Sequence, residues 1–106
     1  FACALKGART LVASQPHARI HAVATVAVVA AGFYFDLVRW EWGLVIIAVM
    51  AVWIAEGMNT AIENLADAVS PGHHPLIGRA KDIAAAAVLF AAAGAVLIGC
   101  LVFLGK

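Results

Sequence analysis

From Ile83 to Gly105 the chain contains no charged residue. Wound into a helix, that run is about 34 Å long, enough to cross a hydrocarbon core about 30 Å thick. Two more stretches are mostly apolar over a comparable length, 18–35 and 40–69, and within the second Gly43–Ala55 is wholly uncharged. Three such segments in 106 residues leave little chain for anything else. Hydrophobic residues make up 65% of the sequence and charged residues 12%, whereas a soluble domain is nearer half apolar and a quarter charged. A water-soluble globule of this size cannot bury so much apolar surface. That excludes a soluble enzyme and a disordered chain. A net charge of +1 gives no basic footprint for nucleic acid. The expected fold is an all-α integral membrane bundle, residues 1–106 forming one embedded unit with spanning helices over 18–35, 40–69 and 79–105.

A short amphipathic helix over 1–14 is expected on the membrane surface ahead of the first span, with Lys6 and Arg9 as its charges and Leu5, Leu11 and Val12 as its larger apolar residues. Pro16 ends it or bends the chain into the span. The first span does not read as a cleaved signal peptide, because it follows a polar stretch and closes on Phe33, Tyr34 and Phe35 without a small-x-small site. Those aromatics, with Trp40 and Trp42, suit an interfacial belt flanking a tight turn at Asp36–Glu41. Lys6, Arg9 and Arg19 precede or open the first span, and Arg79 and Lys81 lie between the second and third. The positive-inside rule then places the N-terminus and the 71–82 loop in the cytoplasm. Cys3 and Cys100 have neither disulfide nor metal-site spacing and read as ordinary thiols. Small residues such as Ala91, Ala92, Gly94, Ala95 and Gly99 favour close helix packing. Three spans enclose little by themselves, so a homo-oligomer is expected.

The informative segment is Glu56-Gly-Met-Asn59-Thr60-Ala-Ile-Glu63-Asn-Leu-Ala-Asp67. At helical spacing Glu56, Asn59, Glu63 and Asp67 fall within an arc of about 80°, with Thr60 at its edge. Ionisable groups at membrane depth are costly and usually functional. Three acids on one face repel one another unless a divalent cation or basic side chains join them, and Arg19, Arg79 and Lys81 are placed to approach. Glu56 and Glu63 are about 10 Å apart along the axis, too far to share a proton. Glu56 lies deeper, where burial raises a carboxyl pKa and suits a general base. Glu63 and Asp67 lie shallower, where a carboxylate can hold Mg²⁺ together with phosphate oxygens. The gradient suits a reaction between a membrane-resident hydroxyl and a water-soluble phosphate donor. The competing reading is a non-catalytic membrane oligomer, a scaffold or a small cation conduit that uses the stripe as glue or lining. The uncharged Gly43–Ala55 weighs against conduction.

Ser70-Pro-Gly-His-His-Pro75 reads as a loop. Beyond it Lys81 can neutralise phosphate charge, and Asp82 can orient Lys81 or a ligand hydroxyl. His73 and His74 are adjacent and do not make a helical metal pair. His17 and His21 are four apart but have no acid or cysteine close in sequence, which favours an interfacial role. No GxxxxGK[ST] or GxGxxG phosphate loop is present.

The run Glu56-x-x-Asn59-Thr60-Ala61-Ile62-Glu63-x-x-x-Asp67, followed by Ala80-Lys81-Asp82-x-x-Ala85-x-Ala87-Val88-Leu89, closely resembles the prokaryotic diacylglycerol kinase family, which includes undecaprenol kinases. Gly7 and Arg19-Ile20-His21 extend the likeness towards the N-terminus. The resemblance implies a homotrimer in the bacterial inner membrane, with composite sites between subunits at the cytoplasmic face. It implies transfer of the γ-phosphate of Mg-ATP to a lipid hydroxyl, making phosphatidic acid or undecaprenyl phosphate. Glu56 matches the catalytic base and Glu63 a metal-binding glutamate that also helps to place ATP. Asn59 and Asp67 match polar residues lining the site. Lys81 and Asp82 match nucleotide contacts, and Gly72, His73 and His74 fall in the loop that approaches the nucleotide. Arg19 and the surface helix border the lipid entry. Where many members carry a second metal-binding glutamate this chain has Gln15, whose carbonyl can ligate Mg²⁺ but brings no charge. His74-Pro75-Leu76 looks more like the undecaprenol-kinase branch.

Overall fold

A carboxylate starts the longest helix. Glu41 Oε1 accepts a hydrogen bond from the Val38 main-chain N–H at 3.0 Å, satisfying one of the donors that a helix start leaves open. The computed structural model describes residues 1–14, 16–72 and 74–106, and among them the chain forms four helices. They are α1 (Ala2–Ser14), α2 (Pro16–Tyr34), α3 (Arg39–Val69) and α4 (Pro75–Phe103). The last three are long and apolar enough to cross a membrane. Gln15 and His73 lie outside the described residues.

The spans begin close to where hydropathy places them, with one exception. α4 starts at Pro75 rather than 79, so the connection after α3 is only a few residues long. His74 explains the shift: its Nδ1 accepts the Leu76 N–H at 3.2 Å, and Pro75 occupies a first-turn position that needs no N–H donor. Arg79, Lys81 and Asp82 therefore project from the first turns of a helix and not from a loop.

At 31 residues, α3 is about 46 Å long, well beyond a core about 30 Å thick. About twenty residues from Trp40 spend that thickness near Asn59. On that count Glu56 would fall in the last turn of an apolar layer that starts at Trp40, and Glu63 and Asp67 would fall past it. α3 packs most extensively on the antiparallel α4. Leu37, Val45 and Val102 are buried at the end away from the Glu56–Asp67 stripe, with Val28, Trp42, Ile98 and Phe103 against them. At this end Lys106 Nζ lies 2.6 Å from Glu41 Oε1, so the carboxylate that starts α3 is also ion-paired. The tight turn between α2 and α3 places Asp36 at φ 53°, a conformation that Asp tolerates better than most residues.

Aromatic rings cluster at this end. Phe33 meets Trp42 at 5.0 Å between ring centres, Tyr34 meets Phe35 at 5.0 Å, and Phe35 meets Phe103 at 6.0 Å. Elsewhere large apolar side chains remain exposed, among them Ile83, Phe90, Leu97 and Leu101 on α4. Such faces suit lipid or a second copy of the chain. The α1 helix lies against α2 and α3, with Leu11 beside Gly57. Both cysteines are free and exposed.

The Trp42 ring on α3 packs directly over Gly32 on α2. A Cβ there would come 2.5 Å from the Trp42 Cη2 atom. Gly32→Ala is expected to lower unfolding free energy by about 1–3 kcal/mol through overpacking, measured by denaturant titration in mixed micelles. Trp42→Leu in the same chain should recover part of that loss.

Candidate functional site

The stripe deduced from helical spacing is present on one continuous helix, and each acid in it has a different partner. Glu56 is 5% exposed, the most enclosed of the three. Its Oε2 lies 3.2 Å from His21 Nε2 on α2. Glu63 is half-buried, and its Oε1 accepts from Asn59 Nδ2 at 3.1 Å. Asp67 is exposed and its Oδ1 accepts from Lys81 Nζ on α4 at 2.9 Å. The repulsion expected of three acids is thus relieved pair by pair, by an imidazole, an amide and an ammonium. The gradient of depth is also present, from buried Glu56 to open Asp67.

Around His21 the two helices are joined twice. Thr25 Oγ1 donates to the His21 carbonyl at 2.7 Å, and the Trp53 indole N–H donates to Thr25 Oγ1 at 3.0 Å. The Trp53 ring also meets the imidazole edge-on, with 6.2 Å between centres. Trp53 stands one turn before Glu56 on α3, so the clip and the acid share a face. His21, Thr25 and Trp53 form the polar end of a cavity of about 320 Å³ between α2, α3 and α4, whose other walls include Val28, Val49, Ala92 and Gly99.

Sequence alone favours an interfacial role for His21, because no acid lies near it in the chain. The fold supplies one from 35 positions away. A signal was available: His21 and Thr25 are four apart on an otherwise apolar span, and polar groups so placed need a partner. Lys81 likewise finds Asp67 and not Asp82, which is exposed. Arg19 Nη2 donates to the Ala13 carbonyl at 3.3 Å and so ties α2 to the end of α1. Gly72 is exposed and its carbonyl accepts from Ser70 Oγ at 3.4 Å, while His74 caps α4. The expected roles of Gln15 and His73 fall outside the described residues.

Among the described residues no three His, Cys, Asp or Glu side chains are grouped to hold a metal ion. A smaller donor set is present. Asn59 Oδ1 is buried without a hydrogen-bond partner, next to the Glu63 carboxylate that its own amide contacts. An amide carbonyl and a carboxylate are hard oxygen donors of the kind that Mg²⁺ takes, with water and phosphate oxygens completing its octahedron. The residues present therefore fit a partial Mg²⁺ site that needs a phosphate ligand to be complete.

The family model described as prokaryotic diacylglycerol kinase matches residues 2–103. The undecaprenol kinase of Bacillus subtilis (strain 168) is 40% identical over 88 residues, covering 83% of this chain and 72% of that one. The diacylglycerol kinase of Escherichia coli (strain K12) is 36% identical over 96 residues, covering 91% and 79% respectively.

The clip between α2 and α3 can be tested without touching an acid. Trp53→Phe keeps the ring and removes the bond to Thr25. It is expected to lower unfolding free energy by about 1 kcal/mol, read from the same denaturant titration.

Proposed function

The chain belongs to the prokaryotic diacylglycerol kinase family and is a membrane-bound lipid kinase, and on that premise we propose that it moves the γ-phosphate of ATP to the hydroxyl of diacylglycerol or undecaprenol at the cytoplasmic face of the bacterial inner membrane. Membership of a kinase family sets aside the scaffold and conduit readings. The observation that carries the proposal is the depth-ordered stripe. A buried carboxylate stands at the inner end of the stripe; one and two turns further along lie the two members of an oxygen pair fit for Mg²⁺, and about three turns along is a basic side chain fit for phosphate.

Each residue has a part in that reading. Glu56 accepts the proton of the lipid hydroxyl as its oxygen attacks the γ-phosphorus. The new lipid O–P bond forms as the bond from phosphorus to the bridging oxygen breaks, and ADP leaves with that electron pair. Phosphoryl transfer rests on positioning and charge neutralisation more than on covalent help from the protein. Mg²⁺, when bound, supplies charge neutralisation on the phosphates. Glu63 and Asn59 Oδ1 would hold it, with Gln15 as a further carbonyl donor. Lys81, steadied by Asp67, would meet the phosphate oxygens, and Asp82, Gly72, His73 and His74 would border the nucleotide.

The lipid would arrive from the membrane past α1 and Arg19. An open cavity of about 580 Å³ between α1 and α3, with Lys6, Thr10, Thr60 and Asn64 in its wall, supports that route. A homotrimer, with α1 as an amphipathic surface helix, is supported by the exposed apolar faces and by a metal site that one chain leaves incomplete. Positive charge near the N-terminus and at the start of α4 supports the cytoplasmic placement of both.

The test is phosphate transfer from labelled ATP in mixed micelles, with diacylglycerol and undecaprenol offered side by side. Transfer to one lipid names the acceptor. Transfer to neither, with Mg²⁺ present and the protein folded, overturns the proposed acceptors. Glu56→Gln should lower kcat by about 10²–10⁴-fold while ATP binding persists; equal loss of both would refute the division of labour. Glu63→Gln should raise the Mg²⁺ concentration for half-maximal rate steeply, by about tenfold or more if the carboxylate is a direct ligand. An unchanged Mg²⁺ dependence would sink that assignment.

A further inference from the structure

We propose that His21 is a positioning residue for Glu56, fixing by its Nε2–H bond which carboxylate oxygen faces the lipid hydroxyl; this rests on the reading of Glu56 as the base. The contact joins Oε2 alone, at 3.2 Å, and among the described residues no hydrogen bond engages Oε1. A glutamate side chain has several rotatable bonds, and in an apolar setting an unsupported carboxylate turns towards whatever donor it can find. With Oε2 held, Oε1 is the oxygen left to accept the hydroxyl proton.

His21 is itself held in place. Its carbonyl receives the Thr25 hydroxyl, Thr25 receives the Trp53 indole N–H, and the Trp53 ring lies against the imidazole edge-on. The support reaches Glu56 from two sides, because Trp53 and Glu56 are on α3 and His21 and Thr25 are on α2. The role requires the imidazole proton on Nε2. It does not require the imidazole to change charge during the reaction, since the hydroxyl proton ends on Glu56.

A glutamine amide nitrogen reaches about where imidazole Nε2 stands, whereas an asparagine amide is one methylene shorter. His21→Ala and His21→Asn are each expected to lower kcat about 10- to 100-fold, as misplacement of a reacting group does. The KM values for ATP and lipid should stay within about twofold, because ground-state binding is untouched. His21→Gln should recover most of the rate. The assay is steady-state phosphate transfer in mixed micelles, with melting and size-exclusion profiles for each variant. If His21→Ala fails to fold, the comparison of Gln with Asn carries the test alone.

Equal activity in the Gln and Asn variants would overturn the proposal, since a hydrogen bond of defined reach is its content. So would a raised lipid KM with kcat unchanged, which would make His21 a substrate contact. Glu56→Gln, run alongside, separates the two levels. Loss of activity there, with His21→Asn fully active, defeats the positioning role and leaves the base in place. Full activity in Glu56→Gln would remove the base, and the positioning role with it.

Discussion

A carboxylate enclosed between helices has little water to fall back on, and the packing around Glu56 answers that constraint. Glu56 is enclosed by helix packing, and leaving it unpartnered there would cost several kcal/mol. A nearby base on the same helix would not serve, because a base four residues away would leave α2 unattached. The partner comes instead from α2, and the contact that satisfies the acid also sets how α2 and α3 meet. Electrostatic need and helix packing are here one constraint.

The two ends of the bundle answer that constraint differently. At the end near the α2–α3 turn, aromatic rings, a glycine contact and the Lys106–Glu41 pair lock the helices together. At the other end polar groups open towards the surface, and an open cavity lies between α1 and α3. A substrate can enter only where packing is incomplete, so firmness at one end makes looseness at the other tolerable.

Much of this was legible in the sequence. Spans of uncharged residues can do little but cross a bilayer, and a polar face that recurs at helical spacing survives whatever the helix packs against. The stripe from Glu56 to Asp67 is a property of α3 alone, and one helix suffices to predict it. Partners are a different matter. His21 and Glu56 meet only because two helices adopt a particular rotation and height, which no local pattern encodes. The early start of α4 escaped for a local reason: a histidine cap is a weak signal, and Pro75 beside Gly72 reads as loop. Asp82 looked like the orienting group for Lys81 because it is next to it, but adjacent residues on a helix point about 100° apart, and Asp67 was the acid within reach.

The spacing of the two enclosed acids on α3 has a mechanical consequence. Glu41 and Glu56 are about 22 Å apart along the helix, and each is fastened to a different neighbour, Lys106 beyond α4 and His21 on α2. Sliding α3 by one turn, about 5.4 Å, would strip both at once. The bundle therefore behaves as a gauge of fixed height and not as a telescope. When the surrounding bilayer thins or thickens, adjustment of the lipid or tilt of the whole unit keeps both contacts, whereas a shift of α3 past its neighbours breaks them. On the proposed role of Glu56, its height is set by the protein and the height of a lipid hydroxyl by the membrane, so bilayer thickness itself becomes a variable in how well the two meet.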